Sequence, residues 1–214
     1  MTKDIKEYNG IIIFGEMSTG KDALADFLLE LNPKSAKYNI GNVVRQFIPI
    51  VKLNPQFKGR DRVFTQMIAD KLREVHPMLL NDYCFSLIYS KWEKEFNWGQ
   101  EELTEENLLE VLNKQLSQLK EKEIPIIVGG RTPNDFIYWS QRNFLVVGLY
   151  CDHEVRFNRL VARDGIEVAR NSDFTHNTEI QVKDIVNNKC DIVIDNSFDF
   201  EHLKNEAQKL LSMF

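Results

Sequence analysis

The segment "GIIIFGEMSTGKDALADFLLEL", residues 10–31, constrains this 214-residue chain more than any other. Ile11, Ile12 and Ile13 form an apolar run with no polar alternation, the pattern of a strand covered on both faces. From Lys21 onward, Leu24, Phe27, Leu28 and Leu31 recur at i, i+3, i+4 and i+7, one stripe of an amphipathic helix. Between strand and helix lies a turn spelled Gly15-x-x-x-x-Gly20-Lys21. A strand buried on both faces needs helices above and below it, so this segment alone predicts an α/β architecture.

The rest of the chain repeats the alternation. Apolar runs at 10–14, 36–40, 124–128, 143–150 and 191–195 predict five strands of a mainly parallel sheet. Leu203, Ala207, Leu210 and Phe214 predict a C-terminal amphipathic helix. Residues 41–122 break the pattern with four helix-like segments and no convincing strand. One of these starts at Thr104 as N-cap, with Glu105 and Glu106 in the first turn where the helix dipole favours acids. Residues 94–103 are expected to form a turn. With no repeat, low-complexity tract or Pro/Gly/Ser linker, the chain reads as one domain, 1–214, carrying a helical insertion at 41–122.

Composition excludes several classes of function. Hydrophobic residues at 43% and charged residues at 28% describe an ordinary globular protein with a sizeable core. A net charge of −5 argues against non-specific nucleic-acid binding, which needs a positive field. The longest apolar runs, such as 144–150, are too short to span a bilayer. The first ten residues lack the apolar core of a signal peptide. Cys84, Cys151 and Cys190 have neither CxxC nor Cys/His metal spacing. A cytoplasmic protein with reduced thiols is expected, without zinc and with neither nucleic acid nor membrane as partner.

The glycine turn carries the clearest chemistry. A loop between a buried strand and a helix start aims backbone N–H groups and the helix dipole at one point, where an anion would sit. Lys21 adds a mobile positive charge for nucleotide phosphates. A chance GxxxxGK is disfavoured by the strand before it and the amphipathic helix after it. Asp22 stands where a Ser or Thr hydroxyl usually meets Mg²⁺; its carboxylate suits the metal or one of its waters. The plain alternative makes Asp22 a solvated first-turn acid. "NKCD" at 188–191 spells a guanine-reading motif, but it precedes its strand instead of following it. The chain also has no DxxG, so a GTPase is disfavoured.

Three sets of arginines suggest a second anionic ligand. Arg45 follows Gly41 by one helical turn, and Arg131 lies just past the C-terminal end of a predicted strand, where open α/β sheets bind ligands. Arg156, Arg159 and Arg163 fall at i, i+3 and i+7 on one helix face. Any one of them alone reads as a surface salt bridge. Together, beside a phosphate loop, they point to a second phosphorylated ligand, since guanidinium grips phosphate oxygens bidentately.

On these motifs the chain resembles the nucleoside-monophosphate-kinase branch of P-loop kinases, most of all bacteriophage-type deoxynucleoside monophosphate kinases and dephospho-CoA kinases. Ser18-Thr19-Gly20-Lys21-Asp22 is similar to their "SGKD", so an acid after the loop lysine is a family variant. "YNIGNVVRQF" resembles the acceptor-binding "G-D-x-x-R" segment. "RVFTQMIADKLREVHP" is similar to an "R-x-x-x-Q-x-x-G-x-x-x-R" helix. "GGRTPNDF" resembles a "D-V-R-F-P-N-E" turn, and "DIVIDNSFDFEHL" the "D-x-V-I-D-N" ending of both families, whose loop lies near the nucleotide base.

The resemblance implies a three-layer P-loop NTPase fold with a mainly parallel five-stranded sheet, a helical acceptor-binding insertion and a lid at 164–177. It implies an ATP-dependent, Mg²⁺-using kinase acting on a small phosphorylated acceptor, first of all a (deoxy)nucleoside monophosphate, working as monomer or homodimer. A dephospho-CoA-kinase-like enzyme and a catalytically weak nucleotide-binding regulator are the alternatives. Gly15, Met17, Ser18, Thr19, Gly20, Lys21, Asp22 and Ala23 would form the ATP cradle, with Arg159 and Asn196 beside it and Asp22 on the metal. Arg45, Arg62, Gln66, Arg73 and Arg131 would hold the acceptor, while Lys21, Arg131 and Arg163 would act in transfer. Two departures stand out: Gly129 replaces the acid of the "D-V-R" turn, and Ala23 replaces a frequent Thr. Asp82 and Asp135 are possible bases but read better as helix-end residues.

Overall fold

The computed structural model describes residues 8–53, 56, 61–170 and 177–214. The elements begin with β1 (Ile11–Gly15), α1 (Lys21–Leu31), β2 (Ser35–Asn39), α2 (Asn42–Arg45) and α3 (Ile48–Leu53). Next come α4 (Asp61–Val75), α5 (Leu79–Phe96), α6 (Leu108–Gln118), β3 (Ile124–Val128), α7 (Pro133–Ser140) and β4 (Leu145–Tyr150). The chain ends with α8 (His153–Asp164), α9 (Ile166–Arg170), α10 (Asn177–Asn188), β5 (Ile192–Asp195) and α11 (Phe200–Leu211). All five expected strands are present, each within two residues of its predicted ends.

The strands form one sheet in the order β2-β3-β1-β4-β5, and the pairs β1–β3, β1–β4 and β4–β5 are parallel. The side-chain period of two assigns the faces. Ile11 and Ile13 pack with Leu24, Ala25 and Leu28 of α1 and with Leu203, Ala207 and Leu210 of α11. The alternate positions point the other way. A Cβ on Gly148, which pairs with Phe14, would lie 2.8 Å from Cys190 Sγ and 3.2 Å from Val186, on the side where α7 and α10 pack. The fold is therefore a three-layer α/β architecture around a parallel five-stranded sheet, as expected from the sequence. Burial of each large aliphatic side chain in such a core contributes about 1.5–3 kcal/mol.

Contacts divide the chain into two compact units, 1–37 with 102–214, and 38–101. β1, β3, β4 and β5, their flanking helices and α6 belong to the first, and β2 spans the boundary. In the second, α4 packs against α2, α3 and α5. Asn97 ends α5 in a left-handed conformation (φ 54°), with Trp98 N–H donating to Glu93 O at 2.9 Å. Trp98 is then stacked on Phe96, with centroids 5.6 Å apart. The predicted turn at 94–103 thus starts three residues late. Thr104 carries the cap bonding expected of it, with its carbonyl accepting the Leu108 N–H at 3.0 Å, although regular helix starts only at Leu108. Its hydroxyl accepts the Asn107 N–H (3.3 Å) while Asn107 Oδ1 accepts the Thr104 N–H (2.8 Å), closing a turn ahead of α6. No helix among the described residues is long and apolar enough to cross a membrane.

Candidate active site

The strand-loop-helix segment folds as its spelling requires. β1 ends at Gly15, where a Cβ would lie 2.6 Å from Thr19 Oγ1 and 2.9 Å from Leu149 O. Ser18 (φ 62°) and Gly20 (φ 95°) both turn left-handed, which reverses the chain so that α1 starts at Lys21. Glycine is needed at position 20, because a Cβ there would run into the Asn196 side-chain amide. Thr19 is fully buried and its hydroxyl donates to Glu16 O at 2.9 Å. Gly20, the N-cap of α1, brings no side chain to the first-turn N–H groups. An eleven-residue helix therefore presents its dipole and N–H groups to the loop, an anion-binding arrangement.

Charged groups gather around this loop. Lys21 Nζ donates to Gly15 O (2.6 Å) and Glu16 O (2.7 Å). Burial pushes its pKa down to about 7; Arg131 adds to the effect, while Glu179 and Asp22 oppose it. Arg131 follows β3. Its N–H donates to Asp135 Oδ2 at 2.8 Å and its guanidinium to Glu179 Oε1 at 2.7 Å. Glu179, in the first turn of α10, is only 2% exposed, and its Oε2 accepts the Met17 N–H at 2.7 Å. Arg156 and Glu16, both largely buried, pair at 2.9 Å. Three cations and two carboxylates thus surround the loop's open end.

Sequence reasoning missed Glu179 and Glu16. Glu179 meets Met17 across 162 residues, and nothing local to either position announces the contact. The base candidate Asp135 has the helix-end role expected of it. It completes a reciprocal capping box with Thr132 at the start of α7 and is fully buried. Asp82 lies in the first turn of α5, 3.6 Å from His76 Nδ1. Asp191 of the "NKCD" sequence accepts the Val146 N–H at 2.9 Å, so its carboxylate is engaged at the sheet.

The remaining candidates fall in several environments. Met17 is buried against Leu160 and Ala169, so it meets the site through its backbone. Asp22 is exposed and pairs with Lys37 at 2.9 Å, and Lys37 also binds Asp26 at 3.0 Å. Among the described residues no three His, Cys, Asp or Glu gather to hold a metal. Mg²⁺ on nucleotides needs only one or two carboxylates besides phosphate oxygens. Asp22 fits that role once Lys37 releases it. Ala23 packs against the core. Asn196 is buried and donates to Thr19 O at 2.7 Å, while its N–H donates to Tyr150 O at 2.8 Å. Its contact is with the loop backbone.

Arg156, Arg159 and Arg163 share a helix face but differ in depth. Arg156 is buried, and Arg159 donates to Cys151 Sγ (3.3 Å) and Phe198 O (3.1 Å), bracing the helix. Arg163 is exposed and forks onto Asp164 at 2.7 and 2.9 Å. In the unit 38–101, Arg45 is exposed in the last turn of α2. Gln66 and Arg73 are half-buried on α4, with Arg73 3.7 Å from Asp70. Arg62 lies in α4, but its side chain is outside the described residues. Of the expected lid, 164–170 comprise the end of α8 and α9; 171–176 lie outside the described residues.

No protein-family model matches the chain, and no curated protein matches it. Among solved structures, it is similar to a shikimate kinase from Acinetobacter baumannii in complex with shikimate, at 16% identity over 98% of this chain and 94% of that one, TM-score 0.46. A sugar kinase from Janibacter sp. HTCC2649 matches at 13% identity over 97% and 96%, TM-score 0.45. TT1252 from Thermus thermophilus matches at 16% identity over 96% and 98%, TM-score 0.43.

Proposed function

We propose that this chain is an ATP-dependent kinase that passes the γ-phosphoryl group to a small phosphorylated acceptor, first of all a (deoxy)nucleoside monophosphate. The observation that carries this reading is the meeting of Lys21, Arg131 and Arg156 at a glycine loop that ends in the N-terminus of α1. Phosphoryl transfer asks a protein mainly for positioning and charge neutralisation, and this loop offers both. Its backbone and Lys21 hold the donor phosphates. Lys21 reaches them by releasing the carbonyls of Gly15 and Glu16. Arg131, at the C-terminal end of β3, bridges donor and acceptor phosphates; Arg45, Gln66 and Arg73, in the unit 38–101, are the acceptor residues that the family resemblance implies. Arg163 closes on the phosphates by exchanging Asp164 for them. Mg²⁺, when bound, neutralises charge on the phosphates, with Asp22 holding it or one of its waters.

A second reading, a nucleotide-binding regulator without transfer, is favoured by Gly129, which leaves no carboxylate in the turn before Arg131. A thermal-shift screen of ATP, nucleoside monophosphates and dephospho-CoA tests the proposal. Ligand at 100 times its Kd stabilises by about 2.7 kcal/mol, which raises Tm by roughly 5–10 °C for a chain of this size. ATP should produce that shift in wild type and little in Lys21→Ala, and one monophosphate should add to it. No shift with ATP contradicts both readings; a shift with ATP and with no monophosphate or dephospho-CoA favours the regulator.

A further inference from the structure

Glu179 is a buried carboxylate with two strong partners and no part in the chemistry assigned so far. Its two oxygens are divided: Oε1 takes the Arg131 guanidinium and Oε2 the Met17 N–H, each at 2.7 Å. A carboxylate that is 2% exposed loses most of its hydration, and charge-assisted bonds of this length are what make its burial tolerable. The contact joins three elements that are far apart in sequence: the loop after β1, the loop after β3 and the first turn of α10. Met17 is itself packed against Leu160 and Ala169, so that edge of the loop is anchored. Arg131 is held at both ends, its N–H by Asp135 and its guanidinium by Glu179. Arg163 and Arg45, by contrast, are exposed.

We propose that Glu179 is a positioning residue for the phosphoryl transfer assigned above: it ties Arg131 to the phosphate loop at Met17, so that loop and arginine meet the reacting phosphates as one rigid unit. The proposal rests on the kinase reading. It also bears on Gly129, since α10 supplies beside Arg131 the carboxylate that the turn lacks. Glu179 touches no transferred atom. Its effect passes through Arg131, because an unpaired guanidinium in a half-buried site is free to take other rotamers. A misplacement of about 1 Å can cost about a hundredfold in rate.

The test is a double-mutant cycle on Glu179→Gln and Arg131→Ala. ATP affinity is read by calorimetry, and transfer by ADP release with a panel of nucleoside monophosphates and dephospho-CoA. Glu179→Gln keeps an oxygen for the Met17 N–H but removes the charge that holds Arg131. Turnover should fall at least about tenfold while ATP Kd stays within about threefold, and the loss should vanish in the Arg131→Ala background. Glu179→Asp keeps the charge, protects the fold if Gln does not, and reaches one methylene less far; it should lose at least about threefold in turnover. Unimpaired turnover in either variant overturns the proposal, and so does an equal loss with and without Arg131. Tighter ATP binding in Glu179→Gln overturns it too, since the carboxylate would then be blocking the phosphates. Wild type that binds ATP yet transfers to no acceptor contradicts the kinase reading and this proposal with it. Wild type that transfers while both Glu179 variants match it contradicts this proposal alone.

Discussion

Lys21 sets the chemistry of the loop through its protonation. Burial, with Arg131 beside it, lowers its pKa from 10.5 to about 7. Below about 7 the folded and unfolded chains both carry the proton; between about 7 and 10.5 only the unfolded chain does. In that window the ligand-free fold therefore gains stability from this group as pH rises. Phosphates favour the ammonium, so ATP binding takes up a proton there. ATP affinity should fall above pH 7, by at most about tenfold per unit, and Lys21→Arg, whose guanidinium stays charged, should flatten the fall. Calorimetry at pH 7, 8 and 9 reads both; parallel profiles for the two proteins would contradict the assignment. Asp22 makes a second residue-scale prediction. It is paired with Lys37 now, so Asp22→Asn should raise the Mg²⁺ needed for half-maximal turnover at saturating ATP, by about fivefold or more for a lost carboxylate ligand. Lys37→Ala should lower it or leave it unchanged. Superimposed Mg²⁺ curves for wild type and Asp22→Asn would make Asp22 a first-turn acid held by a lysine.

β1, β3 and β4 were legible as apolar runs, because a strand buried on both faces has no solvent side to advertise; β2 and β5, only partly buried, carried a weaker signal. The loop was legible for a different reason: glycines are placed by sterics that only glycine satisfies. Gly20→Ala meets both a left-handed φ and the Asn196 amide. It should cost at least about 1–2 kcal/mol of stability and remove the ATP-induced thermal shift. Gly99→Ala, where a Cβ would meet nothing within 4 Å, serves as the control. Urea unfolding compares them, and equal midpoints would contradict the packing of Asn196 on the loop. Thr104 shows what local signals leave open. Its hydroxyl and its carbonyl bond as those of an N-cap should, yet the regular helix α6 starts only at Leu108. Cap chemistry fixes hydrogen-bond partners; it does not fix where the regular helix starts.

Across the whole molecule, the cationic half of the candidate site could be read from sequence and the anionic half could not. Lys21 and Arg131 stand at strand ends, where parallel sheets gather ligands, and position alone singles them out. Glu179 and the Glu16–Arg156 pair exist only because the sheet brings loops after β1, β3 and β4 to one edge. Asn196 was expected beside the nucleotide; what the structure gives it is a bond to Thr19 O that braces the loop backbone, a contact no spacing rule anticipates. The central claim is that this assembly moves phosphate from ATP to a small acceptor. The most direct measurement follows the label of γ-³²P-ATP in the presence of Mg²⁺ and each nucleoside monophosphate or dephospho-CoA, with folded Lys21→Ala alongside. The account predicts label on one acceptor in wild type and none in Lys21→Ala. Label that stays on ATP, or that appears only as inorganic phosphate whatever acceptor is added, would contradict it.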